Sequence, residues 1–133
     1  DLTKYITPRS LIERSLKNSV SNQAVATPEA VDRYWEMLRY PGNRQATLDR
    51  MAVPRSPYTE KQMAGVAVPT LLIWGEEDAL VPFAAGQWYE DALPNATLVA
   101  YSDIGHLPME ETPIESASAL TTWMTGLTAT PEN

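Results

Sequence analysis

The apolar positions change rhythm along this chain, and residues 68–107 carry the clearest pattern. Thr70-Leu71-Leu72-Ile73-Trp74 is a continuous β-branched and apolar run, the signature of a strand covered on both faces. Pro69 can open such a strand but cannot sit inside it, because it has no N–H to give to a ladder. Gly75 stops the run, and Glu76, Glu77 and Asp78 follow in a polar turn. Pro82, placed like a first helical residue, opens a segment with Ala85, Trp88, Tyr89, Ala92 and Leu93 at helical spacing. Pro94-Asn95 ends it, residues 97–101 form a second apolar strand, and residues 102–105 lead to His106. The connection is long enough for a right-handed parallel crossover, so the unit is β–α–β.

Helical periods flank this unit. Thr7-Pro8 reads as an N-cap and first-position proline, followed by Leu11, Ile12, Ser15 and Leu16 on one face. Residues 19–26 are small and polar, the composition of a loop. Thr27-Pro28-Glu29 repeats the start signal, with the acid where the helix dipole favours it. Val31, Tyr34, Trp35 and Leu38 then share a stripe that reads as core packing. Pro41-Gly42-Asn43 breaks that helix, and Asn43 is placed to cap a short one bearing Ala46, Leu48, Met51 and Ala52. Residues 53–67 hold Pro54 and Pro57 with little pattern and read as a linker, with a last turn at 62–65. Beyond His106, Thr112-x-x-Glu115 is a capping box with Pro113 at the first helical position. Ile114, Ala117, Leu120, Trp123 and Met124 form a stripe expected to pack on the sheet. The tail from Thr125 is expected to fray.

Composition narrows the function classes. At 133 residues the chain has the length of one ordinary domain, with globular fractions of 44% hydrophobic and 20% charged residues. A net charge of −7 and scattered basic residues leave nothing to neutralise a row of phosphates, so nucleic acid is not an expected partner. No apolar run approaches a membrane span. The start at Asp1 is neither a signal peptide nor an initiator methionine. It reads as a processed product, a trimmed chain or a fragment, and the expected compartment is the cytoplasm. Without cysteine there is no disulfide, thiolate metal site or cysteine nucleophile. Asn95-Ala96-Thr97 matches the glycosylation pattern but lacks a secretory signal and reads as chance.

The candidate chemistry lies at one rim of the sheet. Parallel strands point their carboxyl ends the same way, so Asp78 and His106 emerge together. Adjacent strands lie about 4.8 Å apart, which lets the two side chains meet. An Asp against a His can fix its tautomer and stabilise the imidazolium during proton transfer. Glu76-Glu77-Asp78 with Glu110-Glu111 lacks the loop spacing of a calcium site, and a lone histidine without cysteine argues against zinc. These acidic turns read as solvation and helix-dipole groups, and no metal or other cofactor is expected. Gly75 and Gly105 read as isolated turn residues.

Val-Pro-Thr-Leu-Leu-Ile-Trp-Gly-Glu-Glu-Asp-Ala-Leu-Val-Pro over residues 68–82 and Asp-Ile-Gly-His-Leu-Pro-Met-Glu-Glu over 103–111 resemble the last two strands of the α/β-hydrolase fold. That resemblance implies an α/β fold, the C-terminal portion of the hydrolase sheet, with Asp78 as triad acid and His106 as triad base. Val81 and Leu107, beside the catalytic turns, are the expected pocket walls. Thr-Pro-Glu-Ala-Val-Asp-Arg-Tyr over 27–34 and Arg-Tyr-Pro-Gly-Asn-Arg over 39–44 resemble the cap and cap-to-core return of haloalkane dehalogenases and epoxide hydrolases. The implied organisation is a helical cap remnant and return helix over 1–52, the linker over 53–67, and a β-α-β-α lobe over 68–133.

The fold presents its nucleophile on a G-x-S-x-G elbow, with Asp replacing Ser in dehalogenase-like members, N-terminal to the acid. Ser10, Ser15, Ser19, Ser21 and Ser56 have no such setting. The chain is therefore expected to be inactive by itself and to join a nucleophile-bearing N-terminal half, or a second copy of itself. A small apolar ester, amide, halide, epoxide or carbon–carbon substrate is expected. Two readings stay open beside this one: a non-catalytic interaction module, and a flavodoxin-like domain, which needs five strands.

Overall fold

A computed structural model describes residues 7–54 and 56–129. Both expected strands form, each one residue longer than the apolar run: β1 is Thr70–Gly75 and β2 is Ala96–Tyr101. They pair in parallel with flush ends, from Thr70 opposite Ala96 to Gly75 opposite Tyr101. At the start of the ladder, Asn95 ties the strands together. Its carbonyl accepts from Thr70 N–H at 2.9 Å, and its side-chain amide donates to Ala67 O at 2.6 Å.

Helix α5, Phe83–Ala92, makes the crossover, with Pro82 as its N-cap rather than its first residue. Pro82 keeps an extended ψ of 144°, and its carbonyl accepts from Ala85 N–H. Gly86 lets α5 lie close on β1, since a Cβ there would stand 2.9 Å from the Trp74 ring. Trp88 and Tyr89 meet edge to face, 5.0 Å between ring centres. The β–α–β unit is thus closed by side chains the strand and helix patterns supplied.

The other main body is helical. Helix α1, Arg9–Ser19, begins one residue later than Thr7-Pro8 suggests: Pro8 is the N-cap, and Thr7 instead gives its carbonyl to the Trp35 indole at 2.8 Å. Helix α2, Pro28–Arg39, starts as expected, with the Thr27 hydroxyl accepting from Ala30 N–H, a cap that contributes about 1 kcal/mol. Between them, residues 23–25 form a single 3₁₀ turn capped by Asn22, where a plain loop was expected. Leu16, Val20, Ala30 and Val31 are the buried cluster, with Ile12, Tyr34 and Leu107 packed around them.

Helix α3, Asn43–Ala52, is capped by Gly42 at φ 90°, not by Asn43. The turn closed by Asn43 N–H to Tyr40 O needs that left-handed residue, and the Asn43 amide is spent on Met37 O. Helix α4, Glu60–Ala64, lies inside the stretch that reads as a linker. Thr59 and Gln62 form a reciprocal capping box there.

Helix α6, Pro108–Glu111, and helix α7, Pro113–Ala129, complete the described chain. α7 runs past Thr125 instead of fraying; residues 130–133 of the expected tail lie outside the described residues. It packs against β1, yet Ile114, Leu120, Met124 and Leu127 are exposed, Ile114 to 79%. Of the expected stripe only Trp123 is half-buried, Ala117 is exposed as well, and the buried residue of this helix is Ser116, so the stripe faces mainly solvent and not the sheet. β1 likewise is half-buried up to Gly75 instead of covered on both faces. Among the described residues, no helix is long and apolar enough to cross a membrane.

Candidate functional site

The end of β1 is built for close approach. A Cβ on Gly75 would stand 2.1 Å from the Gly105 carbonyl and 2.2 Å from that of Ile104. Only hydrogen at this position lets the segment after β2 pass directly over the end of β1. Gly75 and Gly105 are therefore packing contacts across the rim and not isolated turn residues. Asp103, at φ 60°, makes the left-handed bend that sends the chain over. Glu76 N–H to Tyr101 O and Glu77 N–H to Ile104 O continue the strand pairing into the two turns.

Asp78 and His106 meet at this crossing. The Asp78 Oδ2 to His106 Nδ1 distance is 2.8 Å, with the aspartate side chain 5% exposed and the imidazole 36%. Oδ1 of Asp78 accepts the N–H groups of Leu80 and Val81, both at 2.8 Å. Burial works to raise the Asp78 carboxyl. The Val81 N–H, the His106 ring and the Leu80 N–H together outweigh it and hold the group below the usual carboxylate range. An ionised carboxylate only accepts, so Nδ1 carries the ring proton and donates it. That leaves the Nε2 lone pair free to take a proton.

The expected pocket walls separate. Val81 borders a cleft of about 120 Å³ with Ile73, Trp74, Asp78, His106 and Pro108. Its main chain also braces the rim, since its carbonyl accepts from the Trp74 indole at 3.1 Å. Leu107 lies outside that cleft. It faces α1 and α2 in a largely apolar pocket of about 280 Å³ with Ile12, Leu16, Tyr34 and Leu38.

Three residues that hold the segment around His106 or its continuation are not evident from the motifs. Ser19 O accepts the His106 N–H at 2.7 Å. Glu110 takes the Tyr34 hydroxyl and the Arg33 guanidinium of α2. Glu111 is 7% exposed and accepts four backbone N–H groups, which corrects its reading as a solvated acid. Its position five residues past His106 was visible, but its donors were not. Among the described residues, no group of three or more potential ligands is placed to hold a metal ion.

A parallel β–α–β unit with an Asp–His pair at the like ends of its strands matches the arrangement expected from the resemblance to the last two strands of the α/β-hydrolase fold. A meta-cleavage product hydrolase, CumD, superposes with a TM-score of 0.79 at 17% identity, covering 92% of this chain and 48% of that one. An esterase from Thermogutta terrifontis superposes at 0.73 and 22%, covering 93% and 46%. The chain belongs to the α/β-hydrolase family described as TAP-like protein, whose model matches residues 33–123. Among curated relatives, the uncharacterized hydrolase YugF of Bacillus subtilis is 30% identical over 112 residues, which is 77% of this chain and 37% of YugF. A pimeloyl-[acyl-carrier protein] methyl ester esterase of Aromatoleum aromaticum is 42% identical over 52 residues, 39% of this chain and 21% of that enzyme. The chain thus spans well under half the length of these curated relatives, and about half of the matched structures.

Proposed function

We propose that this chain supplies the acid and histidine of a nucleophile–acid–histidine triad in an α/β-fold hydrolase, the nucleophile coming from outside these 133 residues. The observation that carries the reading is the 2.8 Å contact between Asp78 and His106 at the ends of paired parallel strands. His106 deprotonates the nucleophile or the hydrolytic water through Nε2. Asp78 keeps the ring in the tautomer that leaves Nε2 free and balances its charge once protonated. The substrate is a small apolar ester or a compound cleaved at a carbon–carbon bond; the ester side of that reading is supported by the name of the methyl ester esterase relative. The apolar pocket beside Leu107 would take its non-reacting end.

The direct test is an assay of the 133-residue chain with an activated p-nitrophenyl ester. No turnover above background is expected, because no serine here lies in an elbow. Steady turnover that disappears in His106→Ala would overturn the division of labour, and would place the nucleophile within this chain.

The same reading carries an association. The two-stranded sheet leaves the outer edge of β1 unpaired by strand among the described residues. Such a sheet is too small to be stable alone, and a bare edge beside apolar side chains invites pairing. The chain joins its nucleophile-bearing half or, by itself, a second copy. Light scattering at micromolar concentration should report a dimer or larger species; a cooperatively unfolding monomer would refute this.

A further inference from the structure

Glu111 is the buried carboxylate that the proposed triad does not use. Taking a carboxylate out of water is costly unless its oxygens are hydrogen-bonded. Here they are, and the arrangement of the donors is specific. Oε1 accepts Gly105 N–H at 3.0 Å and Leu107 N–H at 3.3 Å, the residues on either side of His106. Oε2 accepts Ser21 N–H at 2.8 Å and Asn22 N–H at 2.9 Å, just beyond α1. The His106 N–H itself goes to Ser19 O at 2.7 Å. Three consecutive N–H groups centred on the histidine are thus claimed by two acceptors, and both lead to the same segment, residues 19–22.

We propose that Glu111 is a positioning residue for His106, locking the backbone around it to the segment that follows α1 and so aiming the imidazole at Asp78. This inference rests on the triad reading above. A helix-dipole role does not account for the site, because α6 is only four residues long and the carboxylate reaches back to N–H groups outside it. Gly105 belongs to the same device. A Cβ there would stand 2.7 Å from Ser19 O, 2.8 Å from Ser21 N and 3.0 Å from Glu111 Oε1, so any side chain would part the locked segments. The neighbouring acid adds a second tie to the same helical body, since Glu110 holds Tyr34 and Arg33 of α2.

His106 is the only histidine in the chain, so its Nδ1 proton gives one assignable low-field resonance in proton NMR. Glu111→Gln keeps the shape but turns an NH₂ toward one pair of donors, losing two of the four hydrogen bonds. With the fold retained by circular dichroism, exchange of the Nδ1 proton with water should accelerate about tenfold or more, the equivalent of one lost charge-assisted bond. A purely structural carboxylate would lower the melting temperature and leave that exchange unchanged, and this result would overturn the proposal. Asp78→Asn is the control. If the resonance is missing from the parent protein or survives in Asp78→Asn, the underlying His106–Asp78 reading fails instead. Should Glu111→Gln not fold, amide exchange in the parent protein decides. Gly105, Leu107, Ser21 and Asn22 should be protected and open together with the Nδ1 proton; unprotected or independently opening amides would refute the lock.

Discussion

In the hydrolase proposed above, Asp78→Asn should lower kcat by about 10⁴-fold with KM near the parent's, and His106→Ala should leave only the residual rate of the remaining machinery. The size follows from the tautomer. The substituted carboxamide would keep its oxygen for the Leu80 and Val81 N–H groups, which the 2.8 Å contacts at Oδ1 favour. Its amide nitrogen would then face His106 Nδ1 and donate to it. The ring must place its proton on Nε2, where it can no longer act as a base toward the nucleophile. Binding should be largely spared, because the pocket proposed for the non-reacting end of the substrate is lined by Ile12, Leu16, Tyr34, Leu38 and Leu107 and not by Asp78. Steady-state kinetics of the two variants checks both halves, and an Asp78→Asn enzyme with normal turnover would mean that another group is the acid.

Gly75→Ala should be the most damaging small substitution in the chain. The added methyl meets the carbonyl oxygens of Gly105 and Ile104 at 2.1 and 2.2 Å, and the Ile104 carbonyl carbon at 2.6 Å. These are backbone atoms, so no rotamer change relieves the clash. Either β1 or the segment bearing His106 has to move, at a cost of about 3 kcal/mol or more. Gly126→Ala in α7 is the contrast, since its Cβ meets nothing within 4 Å. That change should add about 0.5–1 kcal/mol by helix propensity. Urea unfolding followed by tryptophan fluorescence separates the two, and equal midpoints would show that the crossing over Gly75 is looser than described.

Much of the rim was legible because its causes are local. Pro69 and Gly75 bracket a strand, Pro82 and Pro94 bracket the crossover, and two parallel strands can only deliver Asp78 and His106 to the same end. Thr27 capped its helix for the same reason. The Thr59–Gln62 box of α4 was equally local and was hidden only by the prolines around it. What the sequence does not display is contact between distant backbone atoms. The donors to Glu111 at Ser21 and Asn22 lie 90 and 89 residues away and carry no side-chain signature, so a buried acceptor looked like a solvated acid. The passage over Gly75 is invisible for the same reason. α7 misleads differently: its apolar residues share one stripe in the sequence, yet that stripe is mostly exposed and Ser116 is the residue that is buried.

The flush ladder from Thr70–Ala96 to Gly75–Tyr101 has a consequence for how such enzymes diverge. That register carries Asp78 and His106 to the same end of the sheet inside one contiguous segment, residues 70–106, while Ser19 and Glu111 hold the backbone around His106 from outside it. Insertions or deletions among the helices of residues 43–64, which make none of the ties to residues 105–111 described above, can reshape the surroundings while the strand register stays fixed. Substrate range can drift in this architecture without the proton-transfer geometry having to be reinvented each time.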